Sequence, residues 1–169
     1  MRKIILFIAS SLDGYIARDT GEIDWLPENA ASGYDEFIKS ADTVIMGRKT
    51  YDQILTLGAY PYKSKKSYVF SRADGNSKDK NIEFVHDAGK LVNGMISNSG
   101  TNVWLIGGAE TISMFLNLGF VDEIILSIIP VVLGSGVPLF KDVGREVKLE
   151  LIKTSNYDKL VELHYKVSK

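Results

Sequence analysis

Short apolar runs rich in β-branched residues alternate along this chain with segments of helical periodicity. The first run, residues 4–9, shows no polar alternation, which is typical of a strand buried on both faces of a sheet. Similar runs follow at residues 43–46, 67–70, 82–85 and 103–106, with helical spacing between most of them. Because parallel strands need long crossover connections, this order predicts a mostly parallel sheet with helices on both faces.

The C-terminal third has a different pattern. Residues 121–132 form an apolar run longer than a typical strand, which predicts an interior strand. Residues 161–167 alternate apolar with polar side chains, which indicates an antiparallel strand with one wet face. We expect it to pair with residues 147–151 across a polar turn at 155–156. The sequence thus predicts one α/β domain over residues 1–169, with a mixed, mostly parallel sheet and an antiparallel C-terminal hairpin.

The composition argues against several classes of function. The chain has 20 basic and 21 acidic side chains, so it has no basic field to recruit nucleic acid and no basic run that indicates a membrane surface. It has no cysteine, which removes disulfide scaffolds, thiolate metal sites and thiol nucleophiles together. No apolar run approaches the length of a bilayer span. We therefore expect a cytoplasmic protein that acts on a small molecule and binds no metal.

The residues that directly follow the predicted strands are the candidates for a ligand site, because ligands of open α/β sheets bind at the carboxyl ends of the strands. Gly47 would let the backbone approach a ligand closely, the helix behind it offers free N–H groups, and Arg48 suits a phosphate. A solvated arginine with a capping Thr50 is the alternative interpretation. Asp13 and Gly14 follow the first strand and open a long loop, although Asp-Gly is also a common turn pair.

Two further strand ends carry residues suited to phosphate. Ser71 and Arg72 offer a hydroxyl and a guanidinium, which fit the ribose 2′-phosphate that separates NADP from NAD. Gly107 and Gly108 stand at another strand-to-helix junction, where two glycines permit a tight turn and a close pyrophosphate. The pattern is neither the dinucleotide fingerprint of the Rossmann fold nor a P-loop. Each site alone is compatible with an ordinary polar turn, but three of them at successive strand ends favour a dinucleotide.

The motifs follow one another in a specific order over nearly the whole chain. They are Ser11-Leu12-Asp13-Gly14, Thr20-Gly21-Glu22 with Trp25, Val44-Ile45-Met46-Gly47-Arg48-Lys49-Thr50-Tyr51, Ser71-Arg72, Ile106-Gly107-Gly108, Leu118-Gly119, Val121-Asp122-Glu123, Pro130 and Leu133-Gly134. Trp25, the segment 44–51, Ser71-Arg72 and Ile106-Gly107-Gly108 together resemble dihydrofolate reductase, and the other motifs carry a second resemblance. The chain resembles more closely the reductase domain of the bifunctional riboflavin-biosynthesis deaminase/reductase, without the deaminase domain and its zinc signature.

The resemblance implies an NADPH-dependent reductase with a dihydrofolate-reductase-like fold. Its implied substrate is a small heterocycle, most like 5-amino-6-(5-phosphoribosylamino)uracil, and the dimeric relatives imply a homodimer in which part of the run 121–132 extends across a two-fold axis. The implied cofactor residues are Ala9 and Ile16 at the nicotinamide, Gly47, Arg48 and Thr50 at the phosphates, Ser71 and Arg72 at the 2′-phosphate, and Gly107, Gly108, Ala109 and Glu110 at the turn over the pyrophosphate.

The proton donor stays open between Asp13, Asp35 and a bound water. Dihydrofolate reductases carry a helix carboxylate that holds the pterin, and counting back from Phe37 places this position at Gly33 or Tyr34. Asp35 is close by, and helix phase decides whether it faces the cleft, because each residue turns the side chain by about 100°. Two alternatives remain: a dihydrofolate reductase that uses Asp35, and a protein that binds NADPH without turnover.

Overall fold

The computed structural model describes residues 2–27, 33–73, 75, 77–96 and 99–169, with the backbone alone at residue 96. In this part of the chain strands and helices follow one another largely as the hydrophobic pattern predicts. In chain order the elements are β1 (Ile4–Ser11), β2 (Tyr15–Ala17), α1 (Tyr34–Ser40), β3 (Ala41–Gly47), α2 (Arg48–Thr56), β4 (Lys66–Phe70), β5 (Ile82–Val85), α3 (Ala88–Ile96), β6 (Asn102–Gly107), α4 (Ala109–Asn117), β7 (Glu123–Ile129), β8 (Val137–Pro138), β9 (Leu149–Tyr157) and β10 (Leu160–Val167).

The main sheet has the strand order β5-β4-β3-β6-β1-β7-β10-β9. The strands from β5 to β7 run parallel to their neighbours, whereas β10 is antiparallel to both β7 and β9. β2 and β8 form a small antiparallel pair beside it. This arrangement confirms the predicted α/β fold with a mixed, mostly parallel sheet and an antiparallel C-terminal hairpin. β7 lies between β1 and β10, so the apolar run at 121–132 contains an interior strand, which ends at Ile129.

The turn of the hairpin lies later than the sequence pattern predicts. The predicted turn at 155–156 is wrong, because both residues belong to β9 and Ser155 pairs with Glu162. The chain reverses instead at Asp158 and Lys159. β9 is the edge strand and is largely exposed, so it accepts polar residues without burying them.

The helices cover both faces of the sheet, as predicted. Successive residues of β1 belong to different core clusters: Leu6 packs in the cluster with Phe115 of α4, and Phe7 packs in the cluster with Phe37 of α1. The Phe7 and Phe37 rings are stacked with their centroids 4.8 Å apart. Burial on both faces explains why β1 shows no polar alternation. No helix among the described residues is long and apolar enough to cross a membrane.

Candidate active site

The carboxyl ends of β4, β3, β6 and β1 lie side by side, because these strands are successive neighbours in the sheet. β4 leads into Ser71, β3 ends at Gly47, β6 ends at Gly107, and Ala9 lies near the end of β1. With neighbouring strands roughly 4.8 Å apart, the four ends span about 14 Å. The structure therefore brings the three phosphate-suited sites to one edge, in the spatial order that an extended dinucleotide requires.

Helices α2 and α4 begin at this edge, and their N-termini are in contact. Gly47 is the N-cap of α2 and Gly108 the N-cap of α4, and neither helix has a side-chain capping hydrogen bond. A Cβ on Gly47 would lie 2.7 Å from Thr111 Oγ1, and a Cβ on Gly108 would lie 3.4 Å from Thr50 Oγ1. Two sets of uncapped N–H groups and two positive dipole ends thus meet at one place, which suits a pyrophosphate.

The two arginines at this edge are held differently. Arg48 Nε donates to both carboxylate oxygens of Asp52, at 2.8 and 2.9 Å, and its guanidinium lies 5.1 Å from the centroid of the Phe84 ring. The Arg72 side chain is 97% exposed and makes one long ion pair, 3.8 Å from Nη2 to Glu110 Oε2. Arg48 is therefore preorganised at the start of α2, whereas Arg72 is free to turn toward a ligand. The Arg72–Glu110 contact also joins two of the predicted phosphate sites.

The remaining predicted cofactor residues lie around this edge. Ser71 Oγ donates to the Ala73 carbonyl at 2.7 Å and accepts from the Ala73 N–H at 3.2 Å, so its hydroxyl is engaged locally. Ala9 in β1 and Ile16 in β2 are half-buried, and Ile16 packs against the core cluster under α3 and α4. Ala109 is buried at the start of α4. These residues lie around the strand ends at which the cofactor is predicted to bind. Arg72 is better suited than Ser71 to a direct contact, because the Ser71 hydroxyl is already hydrogen-bonded to Ala73.

Asp13 connects two loops by hydrogen bonds. Its carboxylate accepts from Ser11 Oγ at 2.7 Å and from the backbone N–H groups of Leu133 at 3.1 Å and Gly134 at 2.8 Å. The Ser11 hydrogen bond is the main cause that lowers the pKa of Asp13, and the two backbone N–H groups act in the same direction. At neutral pH Asp13 is therefore a carboxylate with three donors around it. This geometry suits a residue that positions the loop at 133–134 and leaves it no proton to give.

Asp35 lies on α1, the helix that precedes β3. It is exposed in the first turn of α1, whose inward face carries Tyr34 and Phe37 against Phe7 and Trp104. Asp35 precedes Phe37 by two positions, so it lies about 200° around the helix from that buried ring. Helix phase thus directs Asp35 to the outer side of α1.

Two buried glutamates were not among the predicted site residues. Glu123 and Glu162 are each 9% exposed, although the alternation in β10 predicts Glu162 on a wet face. That prediction is wrong because Gly33, at the start of α1, packs against the Glu162 carboxylate on this face of the sheet. Neither glutamate belongs to a metal cluster, since the described residues contain no group of three or more potential ligands arranged to hold a metal ion.

Sequence relatives cover nearly the whole chain. The family model of the RibD C-terminal domain matches residues 2–54 and 62–163. The uncharacterized protein YwjB of Bacillus subtilis is 40% identical over 169 residues, which cover 97% of this chain and 97% of the relative. The uncharacterized protein YyaP of the same organism is also 40% identical, over 92% of this chain and 89% of its own length.

Solved structures share the same architecture. A protein of Shewanella sp. PV-4 that is provisionally named a riboflavin biosynthesis protein has a TM-score of 0.88 and 29% identity. The match covers 99% of both chains. The diaminohydroxyphosphoribosylaminopyrimidine deaminase/5-amino-6-(5-phosphoribosylamino)uracil reductase of Thermotoga maritima has a TM-score of 0.76. At 16% identity it shows the shared fold, over 99% of this chain and 57% of its own. The matches confirm the resemblance carried by the motifs, and the chain belongs to the RibD C-terminal domain family.

Proposed function

We propose that this protein is an NADPH-dependent reductase of a small heterocyclic substrate, most like 5-amino-6-(5-phosphoribosylamino)uracil. Membership in the RibD C-terminal domain family supports a reductase-type function of the riboflavin pathway. The observation that carries the cofactor part is the contact between the uncapped N-termini of α2 and α4, with Arg48 and Arg72 on the same edge. A helix N-terminus binds phosphate well, and here two of them face one position.

The residues at this edge fit the cofactor. The N–H groups that follow Gly47 and Gly108 would hold the pyrophosphate, and the Arg48 guanidinium would neutralise part of its charge. The two glycines leave open the space that a Cβ would fill against Thr111 and Thr50. Arg72 would bind the 2′-phosphate that distinguishes NADPH from NADH. Bound NADPH supplies a hydride, and the protein residues orient the reacting rings and exclude water.

The proton for the reduced substrate comes, in this proposal, from a bound water. Asp13 is deprotonated at neutral pH and has its carboxylate committed to three donors. Asp35 is exposed on the outer side of α1. These placements remove the support for either aspartate as the direct proton donor.

Titration with NADPH and NADH tests the cofactor part of the proposal. We expect NADPH to bind more tightly than NADH, because only NADPH carries the 2′-phosphate that Arg72 would bind. Binding of neither cofactor below millimolar concentration, or tighter binding of NADH, would contradict it.

Turnover assays test the substrate part. We expect reduction of the ribosylaminopyrimidine and not of dihydrofolate, because the chain belongs to the RibD C-terminal domain family. Reduction of dihydrofolate would instead identify a dihydrofolate reductase. Failure of every candidate substrate to oxidise bound NADPH in a single turnover would indicate a protein that binds the cofactor without catalysis.

A further inference from the structure

The two buried glutamates have very different surroundings. Glu123 is paired with Lys3 Nζ at 2.6 Å and with His164 Nε2 at 2.8 Å. Glu162, with the same 9% exposure, accepts two hydrogen bonds from the described residues, from Ser127 Oγ and from the Gly33 N–H, both 3.4 Å from Oε2. Its Oε1 accepts no hydrogen bond from any described residue. This oxygen is not fully buried, so it can still accept a hydrogen bond from a ligand.

Glu162 lies on the same face of the sheet as Ala9. Ala9 of β1 pairs with Ser127 of β7, and Ser127 pairs with Glu162 of β10, so the three side chains form a row across adjacent strands. At the usual strand spacing the row is about 10 Å long. It contains two small side chains beside the carboxylate, one of which is the residue predicted to line the nicotinamide. The row therefore carries an acceptor next to the proposed reaction site.

The missing side chain at Gly33 leaves room for this carboxylate. A Cβ on Gly33 would lie 2.9 Å from Glu162 Oε1, closer than two such atoms normally approach. The position that the resemblance to dihydrofolate reductase assigns to a helix carboxylate falls at Gly33 or Tyr34. In this protein an acidic group reaches that place from β10 and not from α1.

We infer that Glu162 binds the substrate by accepting hydrogen bonds from two adjacent N–H groups on the edge of its ring. A planar carboxylate matches such a pair with one oxygen on each donor, as it does with the paired N–H groups of arginine. A 6-aminouracil ring presents this pair as N1–H and the exocyclic N–H. The inference deepens the proposed function, and it rests on that function for the presence of a heterocyclic substrate at this site.

Equilibrium binding of 6-aminouracil, with and without NADPH, tests the inference. 1,6-Dimethyluracil is the matched ligand, since methyl groups replace both donors. Glu162→Gln should weaken binding of 6-aminouracil roughly 10- to 100-fold, because a neutral amide replaces a charged acceptor. Binding of 1,6-dimethyluracil and of NADPH should not change. Glu150→Gln, on the exposed edge strand β9, is the matched protein variant and should alter none of the three affinities.

The selectivity between the two uracils separates a binding role from a structural one. The inference is overturned if Glu162→Gln binds 6-aminouracil as tightly as the wild type, or if the wild type does not bind it or does not prefer it over 1,6-dimethyluracil. If Glu162→Gln does not fold, Glu162→Asp decides, since a shorter side chain should weaken only 6-aminouracil binding and an unchanged affinity refutes the role. Failure of the wild type to bind NADPH is a separate result, which contradicts the proposed function.

Discussion

Replacement of Gly47 by alanine tests how closely α2 approaches α4. The backbone of Gly47 has φ −79° and ψ 160°, which any residue can adopt, so alanine adds no backbone strain. The new Cβ would lie 2.7 Å from Oγ1 of Thr111, a buried β-branched residue that cannot rotate away freely. Overpacking of this kind costs about 1–3 kcal/mol, and the loss of glycine's freedom in the unfolded chain offsets about 0.4–1 kcal/mol of it. We expect the free energy of unfolding to fall by up to about 2.6 kcal/mol.

Urea denaturation followed by circular dichroism measures this effect, and NADPH titration should show weaker binding as the helix N-termini are pushed apart. Gly94→Ala in α3 is the matched control, because nothing lies within 4 Å of its new Cβ, and it should stabilise the protein by about 0.4–1 kcal/mol. Thr111→Ala removes the atom that Gly47→Ala would meet, so the cost of Gly47→Ala should shrink in that background. An equal cost in both backgrounds, or a Gly47→Ala protein as stable as Gly94→Ala, would refute the packing argument.

Three further substitutions test the edge of the sheet and its charges. Arg72→Ala should change the free energy of unfolding by no more than about 0.5 kcal/mol, because the side chain is 97% exposed. It should reduce the preference for NADPH over NADH roughly 10- to 100-fold in titrations. An unchanged preference would show that Arg72 does not contact the cofactor. Asp13→Asn should speed amide hydrogen exchange at Gly134, whose N–H loses an anionic acceptor; equal rates would show that the contact does not hold the loop. Burial favours the neutral form of Glu123, but hydrogen bonds and charge from its basic neighbours outweigh it and lower the pKa of Glu123. Glu123 therefore stabilises the fold at neutral pH and loses this effect as the pH falls through its lowered pKa. Glu123→Gln should lower the Tm at pH 7 and make the Tm decline less steeply in acid. An unaltered decline of the Tm would contradict the pairing of Glu123 with its basic neighbours.

Most of the sheet could be predicted from the sequence because hydrophobic periodicity is a local property. The run at residues 4–9 lacks polar alternation because β1 is covered on both faces, and the pattern records this burial directly. The phosphate-suited edge was also predictable, since Gly47, Arg48, Gly107 and Gly108 reveal their positions by residue type at strand ends. Parallel strands necessarily bring those ends to one edge, so the residue types were enough to suggest a dinucleotide.

The sequence by itself thus determined the order of the strands and helices, the mixed sheet and the candidate cofactor edge. Only the tertiary structure decided the position of each carboxylate. Asp13 depends on N–H groups more than a hundred residues away in the chain, and Asp35 on the phase of a short helix. Glu162 is predicted on a wet face from its own strand, and it is buried because Gly33, at the start of α1, lies against its carboxylate. Periodicity within one strand does not record which elements pack on its faces, and that packing determines which carboxylates are buried.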